Sequence, residues 1–257
     1  MSEIIAKRSG SILSVQFNRP AKKNAMSSKM YITMANILND AAKDDHIHVV
    51  LWHSAGDSFC AGVDMEDLKN NLPDLYYMDP QIVLINALIN FGKPLVAAVH
   101  GDAIGMGTTM LTHCDFVYAG ESAKFQMPFI NHALVPEFGT TFSVPARFGY
   151  IHAAELILLG QPFDAKRAAE LGLVTRVVSD DKLLATATEI AQKLAEKPAG
   201  ALQACKRLMK QSSREQVEQA AKNENEELTV RLYSTDAKEA LNAFLEKRPP
   251  DFTRTKN

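Results

Sequence analysis

Pro94-Leu-Val-Ala-Ala-Val-His-Gly-Asp-Ala-Ile-Gly-Met-Gly-Thr-Thr-Met110 reads as a strand that passes through a glycine-rich turn into the start of a helix. Glycine lets a backbone approach a ligand closely, and the N–H groups at a helix start lack intrahelical acceptors, so this turn favours an anion or a developing oxyanion. It is not a dinucleotide fingerprint, because the third glycine position is Met110 and no suitable acidic residue follows a second strand. A Walker phosphate loop is also missing. Further strand-like runs lie at Ile12 to Phe17, His48 to Trp52 and Phe116 to Tyr118, alternating with helical patterns. That alternation is an α/β signature.

Between the first two runs, Ser27 or Ser28 can cap a helix with Met30, Met34, Ile37 and Leu38 on its apolar side, ending near Asp44. A second helix is expected from Asp79 or Pro80 to Asn90, stopped by Gly92. From about Asp180 strand signals disappear, and Lys182–Leu194, Gly200–Lys210, Gln216–Leu232 and Asp236–Leu245 all read as helix. Their apolar stripes, such as Leu202, Cys205, Leu208 and Met209, need cover from the body or from another subunit.

With 28 Lys plus Arg against 30 Asp plus Glu, the net charge of -2 gives no reason to expect nucleic acid as the main partner. Cys60, Cys114 and Cys205 are odd in number and lack a C-x-x-C spacing, which argues against a disulfide framework or a cysteine zinc site and for buried free thiols. No apolar run approaches the roughly 18 residues of a membrane span, no secretory leader is evident, and Thr-Lys-Asn is not the common peroxisomal ending. The expectation is a soluble, cytoplasmic protein without a membrane partner.

A second loop, Ser54-Ala-Gly-Asp-Ser-Phe-Cys-Ala-Gly-Val-Asp-Met65, also follows an apolar strand. Taken alone, Val63 and Met106 are ordinary turn and helix-start residues. Asp64 and Asp102 are either secondary acids or residues that cap helices and fix loops. His100, His113 and His132 are scattered without metal-ligand spacing and read as hydrogen-bonded structural residues.

The two loops together carry a resemblance. Asn18-Arg-Pro, Lys23-Asn-Ala25, Phe59-Cys-Ala-Gly-Val-Asp64, Gly101-Asp-Ala-Ile-Gly-Met-Gly-Thr-Thr-Met110 and Cys114-Asp115 resemble the enoyl-CoA hydratase/isomerase superfamily, also called the crotonase family. Gly139-Thr140, Ala168-Ala-Glu-Leu-Gly-Leu-Val174 and Ala243-Phe-Leu-Glu-Lys247 follow in the expected order, so the likeness spans nearly the whole chain. It implies an α/β fold with a spiral core of ββα units over residues 1–195 and a helical C-terminal region, 196–257, used in assembly as a homotrimer or as a hexamer of paired trimers. It also implies an acyl-CoA thioester substrate and no separate cofactor or metal. The backbone N–H groups of Val63 and Met106 would hold the thioester oxygen. The implied substrate-binding set is Lys23, Ala25, Cys60, Ala61, Asp64, Met65, Gly105, Phe129, Phe244 and Lys247. Lys23 would approach a CoA phosphate, while Phe244 and Lys247 would reach the CoA of a neighbouring subunit. Met65, Leu68 and Phe142 are candidates for setting pocket depth.

The departures bear on the reaction. Where hydratases of the family carry two glutamates, this sequence has Thr109 and, in Phe125-Gln-Met-Pro-Phe129, Phe129. Hydration needs a base for water and an acid for the α-carbon, and neither side chain supplies a carboxylate. Leu134-Val-Pro-Glu-Phe-Gly-Thr-Thr141 instead places Glu137 where the resemblance to peroxisomal-type enoyl-CoA delta isomerases puts an acid. Burial against Phe129, Phe138 and Phe142 would raise its pKa and the nearby helix start would lower it. The expected activity is a shift of the double bond from 3-enoyl- to 2-enoyl-CoA. The alternatives are dienoyl isomerisation, weak hydration, decarboxylation, or acyl-CoA binding without chemistry.

Overall fold

The computed structural model describes residues 2–71 and 79–253. β1 (Ile4–Ser9) and β2 (Ile12–Phe17) pair antiparallel, and α1 (Ser28–Lys43) then leads to β3 (Val49–Ser54). α2 (Met65–Asn71) and α3 (Asp79–Asn90) precede β4 (Leu95–Val99) and β5 (Asp102–Ile104). Next come α4 (Met106–Thr109), β6 (Phe116–Gly120), β7 (Lys124–Gln126), α5 (Thr140–Phe148), α6 (Tyr150–Leu158), β8 (Phe163–Asp164), α7 (Ala165–Glu170) and β9 (Arg176–Val178). Four helices close the chain: α8 (Asp180–Ala195), α9 (Ala199–Gln211), α10 (Arg214–Leu232) and α11 (Thr235–Leu245).

The larger sheet has the order β1-β2-β3-β4-β6-β9, parallel beyond the first pair. β4 is buried at every residue, as a central parallel strand covered on both faces must be. One face packs on the main core, to which α1 contributes Met30, Met34 and Leu38 and α3 contributes Leu84, Ile85 and Leu88. α8 covers the other face, setting Leu183, Ala187 and Ala191 against Val49, Leu51, Val96 and Ala98. Ser27 is the residue that caps α1, its hydroxyl accepting from Met30 N at 3.4 Å.

β5, β7 and β8 form a small second sheet. The chain leaves the large sheet after Val99 and enters this one at Asp102, which carries the glycine turn 105–107 to the end of β5. That crossing positions the site.

The tail helices split in their burial. Lys206 of α9 is 4% exposed and donates to Lys93 O and Asp115 Oδ2, both at 2.7 Å, pinning that helix to the end of the sheet. The outer stripe of α9 is uncovered, with Leu208 63% and Met209 72% exposed. Cys205 shares that uncovered side, so the expectation of three buried thiols holds for Cys60 and Cys114 and fails for Cys205. α10 packs on α3 and α5, and α11 packs on the 3₁₀ turn Pro128–His132. Among the described residues no helix is long and apolar enough to cross a membrane, and no cluster of side chains has metal-ligand geometry.

Candidate active site

The two glycine loops are hydrogen-bonded to each other. Cys60 N donates to Asp102 O at 3.0 Å and Ile104 N donates to Cys60 O at 2.9 Å. A second tie runs from Met26 N to Gly62 O (2.8 Å) and from Asp64 N to Met26 O (2.9 Å). Val63 lies between those two bonds and gives its own N–H to neither partner. Met106 is the first residue of α4, where an N–H has no intrahelical acceptor. Both residues line one cavity of about 560 Å³.

Two glycines make this approach possible. Gly62 has φ +92°, and a Cβ there would lie 2.9 Å from Ile104 O. A Cβ on Gly107 would meet the Cys60 carbonyl oxygen at 2.2 Å. Backbone would have to move on both sides of that contact. Gly107→Ala is therefore expected to displace the Met106 N–H and, on the expectation that this N–H holds the thioester oxygen, to lower turnover about 10²–10³-fold. Steady-state kinetics on the folded variant checks this. Asn24 braces the same frame, its buried amide donating to Ala55 O at 2.8 Å and Ser58 O at 2.7 Å.

Glu137 also lines the cavity and is 7% exposed. One carboxylate oxygen, Oε2, accepts a hydrogen bond from Gln81 Nε2 of α3. Burial pushes the carboxyl up to about 8, the Gln81 hydrogen bond opposes the rise, and the neighbouring Glu224 carboxylate adds to it. The helix start expected to lower this pKa is occupied by another acid. Glu224 of α10, 3% exposed, accepts from Gly139 N and Thr141 N, both at 2.6 Å, and so caps α5. Phe129 shares the cavity wall with Glu137, and Phe138 is fully buried beside it in sequence, at φ +66°. Phe142 faces a different groove, so it neither encloses Glu137 nor sets the depth of this cavity. Met65 and Leu68 do line it, joined by Leu134, Leu228 and Leu232.

Of the remaining predicted residues, Lys23, Ala25, Ala61, Asp64, Gly105, Phe244 and Lys247 come together on the cavity wall. Phe244 and Lys247 line the cavity of their own chain. Cys60 does not reach the wall: it is fully buried behind the loop, with burial pushing its thiol up to about 12. Asp64 touches the cavity but its carboxylate is engaged, accepting from Glu66 N at 3.0 Å, Asp67 N at 3.3 Å and Arg19 Nη1 at 2.6 Å. Burial alone would raise its pKa, but the Arg19 bond and those two backbone bonds outweigh it. Lys23 Nζ lies 3.0 Å from Asp102 Oδ2, an exposed pair that raises the lysine's pKa.

The histidines divide. His100 and His113 donate to backbone carbonyls, Gly56 O at 2.9 Å and Phe138 O at 2.8 Å, as structural residues do. His132 lines the cavity, its ring edge-on to Phe244 with centroids 6.1 Å apart, and burial lowers its pKa. Thr109 is fully buried and is not among the residues lining the cavity.

Gln81 and Glu224 were not picked out by sequence reasoning. A signal existed in each case, since both interrupt apolar stripes: Gln81 with Ile85 and Leu88, and Glu224 with Ala221, Leu228 and Leu232.

The family model described as enoyl-CoA hydratase/isomerase matches residues 7–255. The 2,3-dehydroadipyl-CoA hydratase of Escherichia coli K12 is 34% identical over 252 residues, covering 98% of this chain and 99% of that protein. Enoyl-CoA delta isomerase 2 of Rattus norvegicus is 30% identical over 251 residues, covering 96% of this chain and 64% of that protein. Among solved structures, the enoyl-CoA hydratase/isomerase of Pseudoalteromonas atlantica T6c superposes with a TM-score of 0.93 at 37% identity, covering 98% of this chain and all (100%) of that one. Hydratases and isomerases both appear, so the expected special kinship with peroxisomal-type isomerases is not singled out.

Proposed function

Since this chain belongs to the enoyl-CoA hydratase/isomerase family, we propose that it converts 3-enoyl-CoA to 2-enoyl-CoA in fatty-acid breakdown, with Glu137 as the base and then the acid. The observation that carries this reading is the position of Glu137, a buried carboxylate on the same cavity wall as the Val63 and Met106 backbone. The other acids on that wall are engaged elsewhere: Asp64 with Arg19, and the exposed Glu66 with Lys22.

The steps follow from these groups. The thioester oxygen accepts from Val63 N–H and Met106 N–H. Glu137 removes a C2 proton, and the electron pair delocalises over the dienolate onto that oxygen, where each donor contributes about 3–4 kcal/mol. The protonated Glu137 then returns the proton to C4. The double bond moves from the 3,4 to the 2,3 position and the carboxylate is regenerated, so no cofactor or metal is consumed. Lys23 and Lys247 at the cavity rim suit the CoA phosphates.

The base must be ionised in the free protein. With the Glu137 carboxyl at about 8, kcat/KM is expected to climb about tenfold per pH unit on the acid side and to level above that value. A profile flat across that range would exclude Glu137 as the base.

The identity to a named hydratase favours a second reading, hydration of a 2-enoyl-CoA. Mass spectrometry of the product separates the two, because hydration adds the mass of water and isomerisation adds nothing. The uncovered Leu208 and Met209 of α9 support assembly as a trimer or a pair of trimers.

A further inference from the structure

Gln81 has no part in the steps above. It sits in the first turn of α3, 6% exposed, on the side of the helix that buries Ile85 and Leu88. A buried amide there is costly unless it is hydrogen-bonded. Its partner is Glu137 Oε2, and both side chains face the cavity. A carboxylate only accepts, so the bond is strongest to ionised Glu137 and weakens when the proton sits on that oxygen. Oε1 of Glu137 takes no hydrogen bond from the described residues.

We propose that Gln81 is the positioning residue for the proton transfer: its amide clamps Oε2 of Glu137 so that the ionised carboxylate presents Oε1 to the acyl chain. This rests on reading Glu137 as the base. The clamp works against burial and against the Glu224 carboxylate, both of which favour the protonated form. α3 thereby sets both the direction and the charge of a group carried 56 residues further along the chain.

Gln81→Met keeps the length of the side chain and removes the donor. In that variant the acid limb of the kcat/KM profile is expected to move about one to two pH units higher, the equivalent of one hydrogen bond to a charged group. Activity at neutral pH falls about tenfold to a hundredfold and recovers as the pH rises. A variant slowed equally at every pH, with the limb unmoved, would reduce Gln81 to a packing residue and overturn the proposal. Gln81→Asn, polar but too short to keep the bond, is expected to move the limb the same way and serves if the Met variant does not fold.

A readout independent of turnover keeps this separate from the isomerase reading. In protein labelled with ¹³C at glutamate carboxyls, the resonance missing from Glu137→Gln belongs to Glu137. Its titration midpoint is expected to rise in Gln81→Met, and an unchanged midpoint would overturn the clamp. Absence of isomerase activity in the native protein would remove the proposed reaction while leaving that titration to decide the role of Gln81.

Discussion

Glu137→Gln is expected to lower turnover of a 3-enoyl-CoA about 10²–10⁴-fold, the range typical of losing a positioned general base. Affinity for the acyl-CoA is expected to stay within a few-fold. The amide has nearly the shape of the carboxylate, and its oxygen can still accept from Gln81 Nε2, so the wall keeps its form. What is lost is the ability to take a proton from C2. Val63 and Met106 retain their N–H groups, which leaves binding and oxyanion stabilisation in place and lets residual catalysis persist. Measuring kcat together with the dissociation constant of a non-reactive acyl-CoA distinguishes this outcome from collapse of the pocket. An intact kcat would mean that another group moves the proton.

The same substitution is expected to stabilise the protein, increasingly so as the pH rises. Glu137 titrates at about 8 in the folded state against an ordinary value of 4.5. Between those values the folded protein binds a proton that the unfolded chain does not, so this group's contribution is complete below about 4.5 and is lost as pH rises through about 8. By linkage the loss amounts to a few kcal/mol, an order-of-magnitude figure. Glu137→Gln is never ionised and escapes it. Thermal melts should therefore show little difference between variant and native protein near pH 5 and a gain of several degrees near pH 8, on the scale expected for a chain of this size. An equal offset at all pH values would mean that Glu137 is not held protonated by burial. The two effects together describe a base whose reactivity arises from an environment that the fold would otherwise avoid.

Four strands of the large sheet were legible as apolar runs, the alternating Ile12–Phe17 and Phe116–Tyr118 among them, and the clearest are those buried on both faces. Val49–Ser54 and Leu95–Val99 stand out as apolar runs because a covered parallel strand needs them. β1 was not read, since most of Ile4–Ser9 is polar and exposed and its extended form comes from pairing with β2. β5, β7 and β8 are two or three residues long, too short for any period to show. They exist because the second sheet pairs them across large separations.

At the site, the glycine loops were readable as places where backbone approaches a ligand closely, and Val63 and Met106 of those loops line one cavity. Glu137 was found by its place in a motif. The polar groups around it were not found, because what defines them is tertiary: Gln81 lies 56 residues before Glu137, and Glu224 lies 85 residues after Gly139. The balance between burial and the helix start at Glu137 could not be read from the sequence for the same reason, and it falls to burial. Glu224 reaches in from α10 to cap α5, and its charge acts in the opposite direction.

The proposed reaction moves a proton from C2 to C4 without change of mass. Incubating the purified protein with a short 3-enoyl-CoA and following the ultraviolet absorbance of the conjugated 2-enoyl thioester tests it directly, with the product weighed by mass spectrometry. Conjugation is expected to appear at constant mass, and the signal to be lost in Glu137→Gln. A product heavier by one water, or no conjugation from an acyl-CoA shown to be bound, would contradict it.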